Sequence, residues 1–256
     1  MFRSLAFRAC YYVASAFFVL TSLPLLLLPS RRPVRRWVRS YCRLMVRLMR
    51  GVAGVDVRVG GREHLPDGPC VIAAKHQSWG DGFVMFAAVP DLAFVTGDHL
   101  LRYPLLGVVL RGLGAVVVDN CGGAAARGRL VAREAARARE EGRPILIYPE
   151  GHLSAVGTHH RYRKGVWHLA RAYGAPVVPV ATDLGLRWPL QQVALRPGPC
   201  TVEFLTPIEA GEDKDAFMAE LEARIEGRSL ALLSEQAAAG TLPDDQLLAL
   251  STEASA

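Results

Sequence analysis

Between residues 55 and 205, short apolar runs alternate with stretches of helical pattern, and this alternation restricts the fold more than any other feature. The runs at 55–59, 70–74, 92–96, 115–118, 144–148, 177–181 and 201–205 have strand length and carry many β-branched residues. The segments at 83–89, 104–113, 124–141 and 164–173 read as helices, with Pro104 well placed at a helix start. Gly60-Gly61 and Pro66-Asp67-Gly68-Pro69 supply turns. Strands alternating with helices predict an α/β domain with a mostly parallel sheet flanked by helices. Ligands of such sheets bind beyond the carboxyl ends of the strands. An amphipathic helix over 213–235 is expected to close the domain, which is placed at 53–236. The stretch 237–256, rich in Ala and acidic residues, is expected to be a flexible tail.

The first 52 residues differ in kind. Residues 9–29 contain no charge, and as a helix they would reach about 31 Å, close to the hydrocarbon thickness of a bilayer. Pro24 should kink or end that helix. The run exits into Pro29-Ser30-Arg31-Arg32 with no suitably placed cleavage triplet, so an uncleaved anchor is expected, spanning or lying in one leaflet. Eight arginines follow the run and two precede it, which puts the rest of the chain on the cytoplasmic side. Val34, Trp37, Val38, Tyr41, Leu44, Met45, Leu48 and Met49 fall on one helical face, with arginines on the other. That is the pattern of a helix lying in a membrane interface with its apolar side down. The competing reading is a surface helix of the main domain. Residues 1–50 carry +10 against +6 for the whole chain, leaving −4 for the rest. The basic charge thus belongs to an apolar segment, which argues against a nucleic-acid partner. Five scattered cysteines without a C-x-x-C pair fit buried small side chains in a reducing compartment.

Chemistry concentrates at Lys75-His76-Gln77-Ser78-Trp79-Gly80-Asp81-Gly82, just past the run at 70–74. On one continuous helix, side chains five positions apart diverge, so His76 and Asp81 meet only if the chain turns between them. Gly80 and Gly82 are expected to permit the turn. A histidine oriented by a carboxylate can strip a proton from a hydroxyl. The H-x4-D spacing is weak alone, but three more blocks add to it. They are Gly114-Ala115-Val116-Val117-Val118-Asp119-Asn120, Tyr148-Pro149-Glu150-Gly151-His152-Leu153-Ser154, and Ala175-Pro176-Val177-Val178-Pro179-Val180. His152, His159 and His160 lack a Cys or carboxylate at ligand spacing, so no metal is expected. No G-x-S-x-G occurs, which disfavours a serine hydrolase.

The four blocks, in this order, resemble the motifs of the membrane-associated 1-acyl-glycerol-3-phosphate acyltransferase family, over about residues 55–205. The resemblance implies a membrane-bound O-acyltransferase that moves a fatty acyl group from acyl-CoA or acyl carrier protein to a lysophospholipid hydroxyl in phospholipid biosynthesis, with no cofactor. It assigns His76 as base and Asp81 as its orienting carboxylate, with Glu150, Gly151 and Asn120 at the acceptor site. Asn120 stands where the family has an arginine, and His152-Leu153 stands where it has Thr-Arg. Those arginines are associated with the acceptor's phosphate, which a planar bidentate donor suits. Two arrangements answer the loss: Arg161, Arg163 and Lys164 supply the charge, or the acceptor is another lipid, such as a lyso-ornithine type. Glycerol-3-phosphate as acceptor and a non-catalytic scaffold are the remaining alternatives.

Overall fold

The computed structural model describes residues 2–97, 104–118, 124–190 and 194–243. Among these residues seven strands form one sheet in the order β1-β7-β6-β2-β5-β3-β4. They are β1 (Val55–Gly60), β2 (Val71–Ala74), β3 (Ala93–Gly97), β4 (Val116–Val118), β5 (Ile145–Ile147), β6 (Val177–Thr182) and β7 (Gly198–Phe204). The sheet is mostly parallel, as expected, with β6 and β7 antiparallel. The central strands β2 and β6 are buried along their whole lengths, which is why both read as unbroken apolar runs.

Period-two alternation along β2 divides the core into two layers. Ile72 and Ala74 face a cluster with Phe7, Met85 and Trp188, while Val71 and Ala73 face one with Leu169, Tyr173 and Phe217. The first layer lies under α1 (Phe2–Leu25), α2 (Arg32–Leu48) and α3 (Gly80–Ala88). The helix α4 (Pro104–Leu113) packs beside α1 and α2. The second layer lies under α5 (Ala124–Glu140), α6 (Gly165–Tyr173) and α7 (Lys214–Ala238).

The N-terminal pair departs from expectation in how it packs. The helix α1 begins at Phe2, well before the uncharged run, and ends one residue after Pro24. Its first turns are docked: Ser4 Oγ donates to the Leu195 carbonyl, and buried Phe7 meets Trp188 edge-on at 5.4 Å. Its outward side is apolar, with Leu5, Tyr12, Val13, Phe17 and Leu20 each more than half exposed. The apolar face of α2 packs in large part against protein. Val34 and Met45 are fully buried, and Tyr41 packs edge-on against Phe83 of α3. Amphipathic pattern says which face of a helix avoids water, but protein and lipid satisfy it equally, and here α1 and α3 supply the apolar surface. Arg36, Arg43, Arg47 and Arg50 are exposed, whereas Arg35 binds α2 to the domain through Asp91 and Glu141.

Of the stretch expected to be a flexible tail, residues 237–243 are described and lie against the domain. The helix α7 runs on to Ala238, and Leu242 is buried against Leu186 and Leu233. Buried Arg187 donates to the Thr241 carbonyl at 2.6 Å, which pins the chain there. Residues 244–256 lie outside the described residues.

Candidate active site

His76 follows β2 at the carboxyl edge of the sheet, and Asp81 sits in the first turn of α3. His76 Nδ1 is 2.9 Å from Asp81 Oδ2. The same oxygen accepts the backbone N–H groups of Gln77 at 2.8 Å and Ser78 at 2.9 Å. A carboxylate held by two backbone donors in a helix's first turn is favourably placed for its charge. It accepts from Nδ1–H and so leaves Nε2 as the basic nitrogen. The imidazole is 21% exposed and the carboxylate 4%, so the ring is open to solvent on one side while its partner is shielded.

The turn between them is not made as expected. Neither Gly80 nor Gly82 has a positive φ. Instead Ser78 Oγ accepts the Gly80 N–H at 2.9 Å, and Asp81 N–H bonds the Ser78 carbonyl at 3.2 Å. Gly80 is needed for closeness: a Cβ there would come within 3.0 Å of Trp188 and 3.1 Å of Leu184.

The loop after β5 closes over this pair. The Tyr148 ring stacks on His76 at 3.8 Å and 13°. The Ser154 N–H donates to the His76 carbonyl at 2.8 Å. Burial and the charge of Asp81 push the Tyr148 phenol well above its ordinary pKa. Its hydroxyl and Asp81 Oδ1 are both buried without a hydrogen-bond partner. Gly151 has φ +74°, and a Cβ there would lie 2.7 Å from Arg163 Nε.

Glu150 is fully buried, and its position depends on residues the sequence did not single out. Lys75, 1% exposed, lies 3.1 Å from Glu150 Oε1 and 2.8 Å from Glu226 Oε1 of α7. Its Nζ also donates to the Thr158 carbonyl at 3.0 Å, and Tyr162 donates to Glu226 at 2.7 Å. Ser154 donates its hydroxyl to Glu150 Oε2. Burial raises the Glu150 pKa, Lys75 opposes the rise, and Glu226 adds to it. The signal for Lys75 was present, since a lysine closing an apolar strand must find a buried anion. Glu226, 151 residues away, had none.

The structure therefore brings together His76, Asp81, Glu150, Gly151 and Arg163 among the residues expected from sequence. Lys164 turns instead to Asp215 at 3.0 Å, and Arg161 lies near the same carboxylate, whose pKa Lys164 and Arg161 lower. His152 packs edge-on against His160 at 4.5 Å, and His159 Nε2 is 2.6 Å from Glu222. Asn120 lies outside the described residues. Among the described residues no three His, Cys, Asp or Glu side chains converge as metal ligands.

Known proteins share this arrangement of elements. The family model described as Acyltransferase matches residues 56–183, half of the chain. A 1-acyl-sn-glycerol-3-phosphate acyltransferase of Pseudomonas aeruginosa is 33% identical over 200 residues, covering 78% of this chain and 77% of its own. One of Saccharomyces cerevisiae is 28% identical over 157 residues, covering 60% of this chain and 51% of its own. The crystal structure of the 1-acyl-sn-glycerophosphate acyltransferase of Thermotoga maritima has the same fold, with a TM-score of 0.71 at 22% identity, over 90% of this chain and 96% of that one.

Proposed function

The chain belongs to the acyltransferase family, and from that premise we propose that it acylates the free hydroxyl of 1-acyl-glycerol-3-phosphate, with acyl-CoA or acyl carrier protein as donor. The observation that carries the reading is the 2.9 Å contact between His76 Nδ1 and Asp81, which leaves Nε2 free at an open edge of the sheet.

His76 Nε2 takes the hydroxyl proton as the acceptor oxygen attacks the thioester carbonyl. Asp81 stabilises the imidazolium that forms and holds the tautomer. The Tyr148 ring, parallel to the imidazole at 3.8 Å, adds a favourable face for that cation. As the tetrahedral intermediate collapses, the C–S bond breaks and the imidazolium returns its proton to the thiolate. General-base assistance of this kind supplies about 10²–10⁴ in rate.

Arg163 over Gly151 is our candidate for the acceptor's phosphate, since Leu153 holds the position where the family carries an arginine. The network of Lys75, Glu150 and Glu226 keeps the loop around Gly151 in place. Membrane association is supported by the outward apolar side of α1, long enough to cross a bilayer, and by the exposed arginines of α2. The positive-inside rule then puts the α/β domain on the cytoplasmic side.

A panel of acceptors with one acyl-CoA tests the reading. Turnover fastest with 1-acyl-glycerol-3-phosphate, and weakened by Arg163→Ala through acceptor KM, supports it. Turnover confined to a phosphate-free lyso-lipid overturns the acceptor. Absence of turnover with every acceptor overturns the activity.

A further inference from the structure

A groove of about 640 Å³ runs between α7 and the loop at 157–159, on the face of the sheet opposite α1 and α2. Gln77, the residue after His76, lines it. Gln77 and Ser229, 2% and 3% exposed, both line it, and each carries a buried polar atom, Oε1 and Oγ, without a hydrogen-bond partner in the fold. Such groups cost free energy until a ligand or water satisfies them. The carboxylates that reach the groove are already engaged, Glu222 with His159 and Glu226 with Lys75 and Tyr162. No lysine or arginine lines it among the described residues. Ala219, Ala223, Leu230 and Leu233 supply an apolar wall, on which Leu230 is 54% exposed.

These properties select a ligand by exclusion. A phosphate finds no lysine or arginine there and meets two carboxylates, one of them already holding His159. A fatty chain would leave Gln77 and Ser229 unsatisfied. An uncharged chain that alternates amides with aliphatic carbon fits both kinds of lining, and the volume is within the usual range for small-molecule sites.

We propose that the groove receives the pantetheine arm shared by acyl-CoA and acyl carrier protein, its amides bonded to Gln77 and Ser229 and its dimethyl carbons against Leu230 and Leu233. The inference rests on the acyl-thioester reading above. It gives the two substrates separate approaches: the lipid acceptor from the side of α1 and α2, the water-soluble donor from the side of α7. They meet at His76, on the edge between the two faces. The nucleotide phosphates of CoA, or the carrier protein itself, stay outside the groove.

The test compares the full chain with Ala223→Trp, which fills the groove from an exposed position, and Ser229→Ala, which removes one hydrogen bond. Binding of a non-reactive S-alkyl pantetheine thioether is measured by calorimetry, and donor KM is measured with acyl-pantetheine, acyl-CoA and acyl carrier protein. Ala223→Trp is expected to weaken thioether binding and raise all three donor KM values at least about tenfold, with acceptor KM and the unfolding midpoint unchanged. Ser229→Ala is expected to raise them about 2- to 10-fold, the worth of one hydrogen bond. An effect on acyl-CoA or acyl carrier protein alone would mean that the groove reads what lies beyond the arm, and would overturn the assignment. Equal thioether affinity in wild type and Ala223→Trp, or no binding to wild type, also overturns it, whatever the turnover. Groove-dependent binding without turnover on any acceptor would leave the groove standing and remove the acyl-transfer reading.

Discussion

Lys75→Met isolates what the buried network contributes. The substitution keeps the length and apolar stem of the side chain and removes the ammonium. Lys75 lies 3.1 Å from Glu150 and 2.8 Å from Glu226, and the Glu150 side chain is 0% exposed. At about 3 Å and an effective dielectric of ~20, each pair is worth roughly 5 kcal/mol of gross attraction, most of it offset by desolvation. Removing one partner leaves a buried carboxylate uncompensated, which costs about 3–5 kcal/mol. That is a large share of a domain's total stability, about 5–15 kcal/mol. The effect also has a definite pH dependence. Burial raises the Glu150 pKa and Lys75 pulls it down, so losing Lys75 raises it further. A carboxyl with a raised folded-state pKa contributes stability below its ordinary range and loses it as pH rises through the raised value. The deficit of Lys75→Met should therefore be larger near pH 8 than near about pH 5. Urea unfolding in detergent micelles at both pH values measures it. A deficit under about 1 kcal/mol near pH 8, or one that grows as pH falls, would refute the reasoning.

Three further outcomes follow from single contacts. Asp81→Asn keeps an acceptor for the Gln77 and Ser78 N–H groups but loses the charge facing the imidazolium, so kcat should fall about 10²–10⁴-fold while the circular dichroism spectrum is unchanged. Gly151→Ala places a Cβ 2.7 Å from Arg163 Nε at φ +74°, and should cost about 1–3 kcal/mol in unfolding free energy. Burial pushes the Cys70 thiol up to about 12, so at pH 8 only about one molecule in 10⁴ carries the thiolate. Mass spectrometry after iodoacetamide treatment should find Cys70 unmodified until the fold is lost.

What could be read from the sequence depended on how local the cause was. The strands β2 and β6 were legible because a strand buried on both faces has no polar positions, and that shows in the residues themselves. His76 and Asp81 were legible because a five-residue spacing lies inside one loop and helix start. The role of Gly80 was misjudged, since its need comes from Trp188 and Leu184, more than a hundred residues on. The apolar face of α2 was assigned to lipid because periodicity records avoidance of water and not the identity of the cover. The reversal between β6 and β7 and the link from Lys75 to Glu226 are non-local, and no pattern of composition carries them. The placement of residues 239–243 rests on Arg187 reaching Thr241, which is equally remote.

The central claim is that His76 is the base of an acyl transfer. Initial rates of acyl-CoA consumption with 1-acyl-glycerol-3-phosphate, compared between wild type and a folded His76→Ala variant, test it most directly. The account predicts a fall of about 10²–10⁴ in kcat with acceptor KM little changed. A variant that keeps turnover within a few-fold of wild type would contradict it.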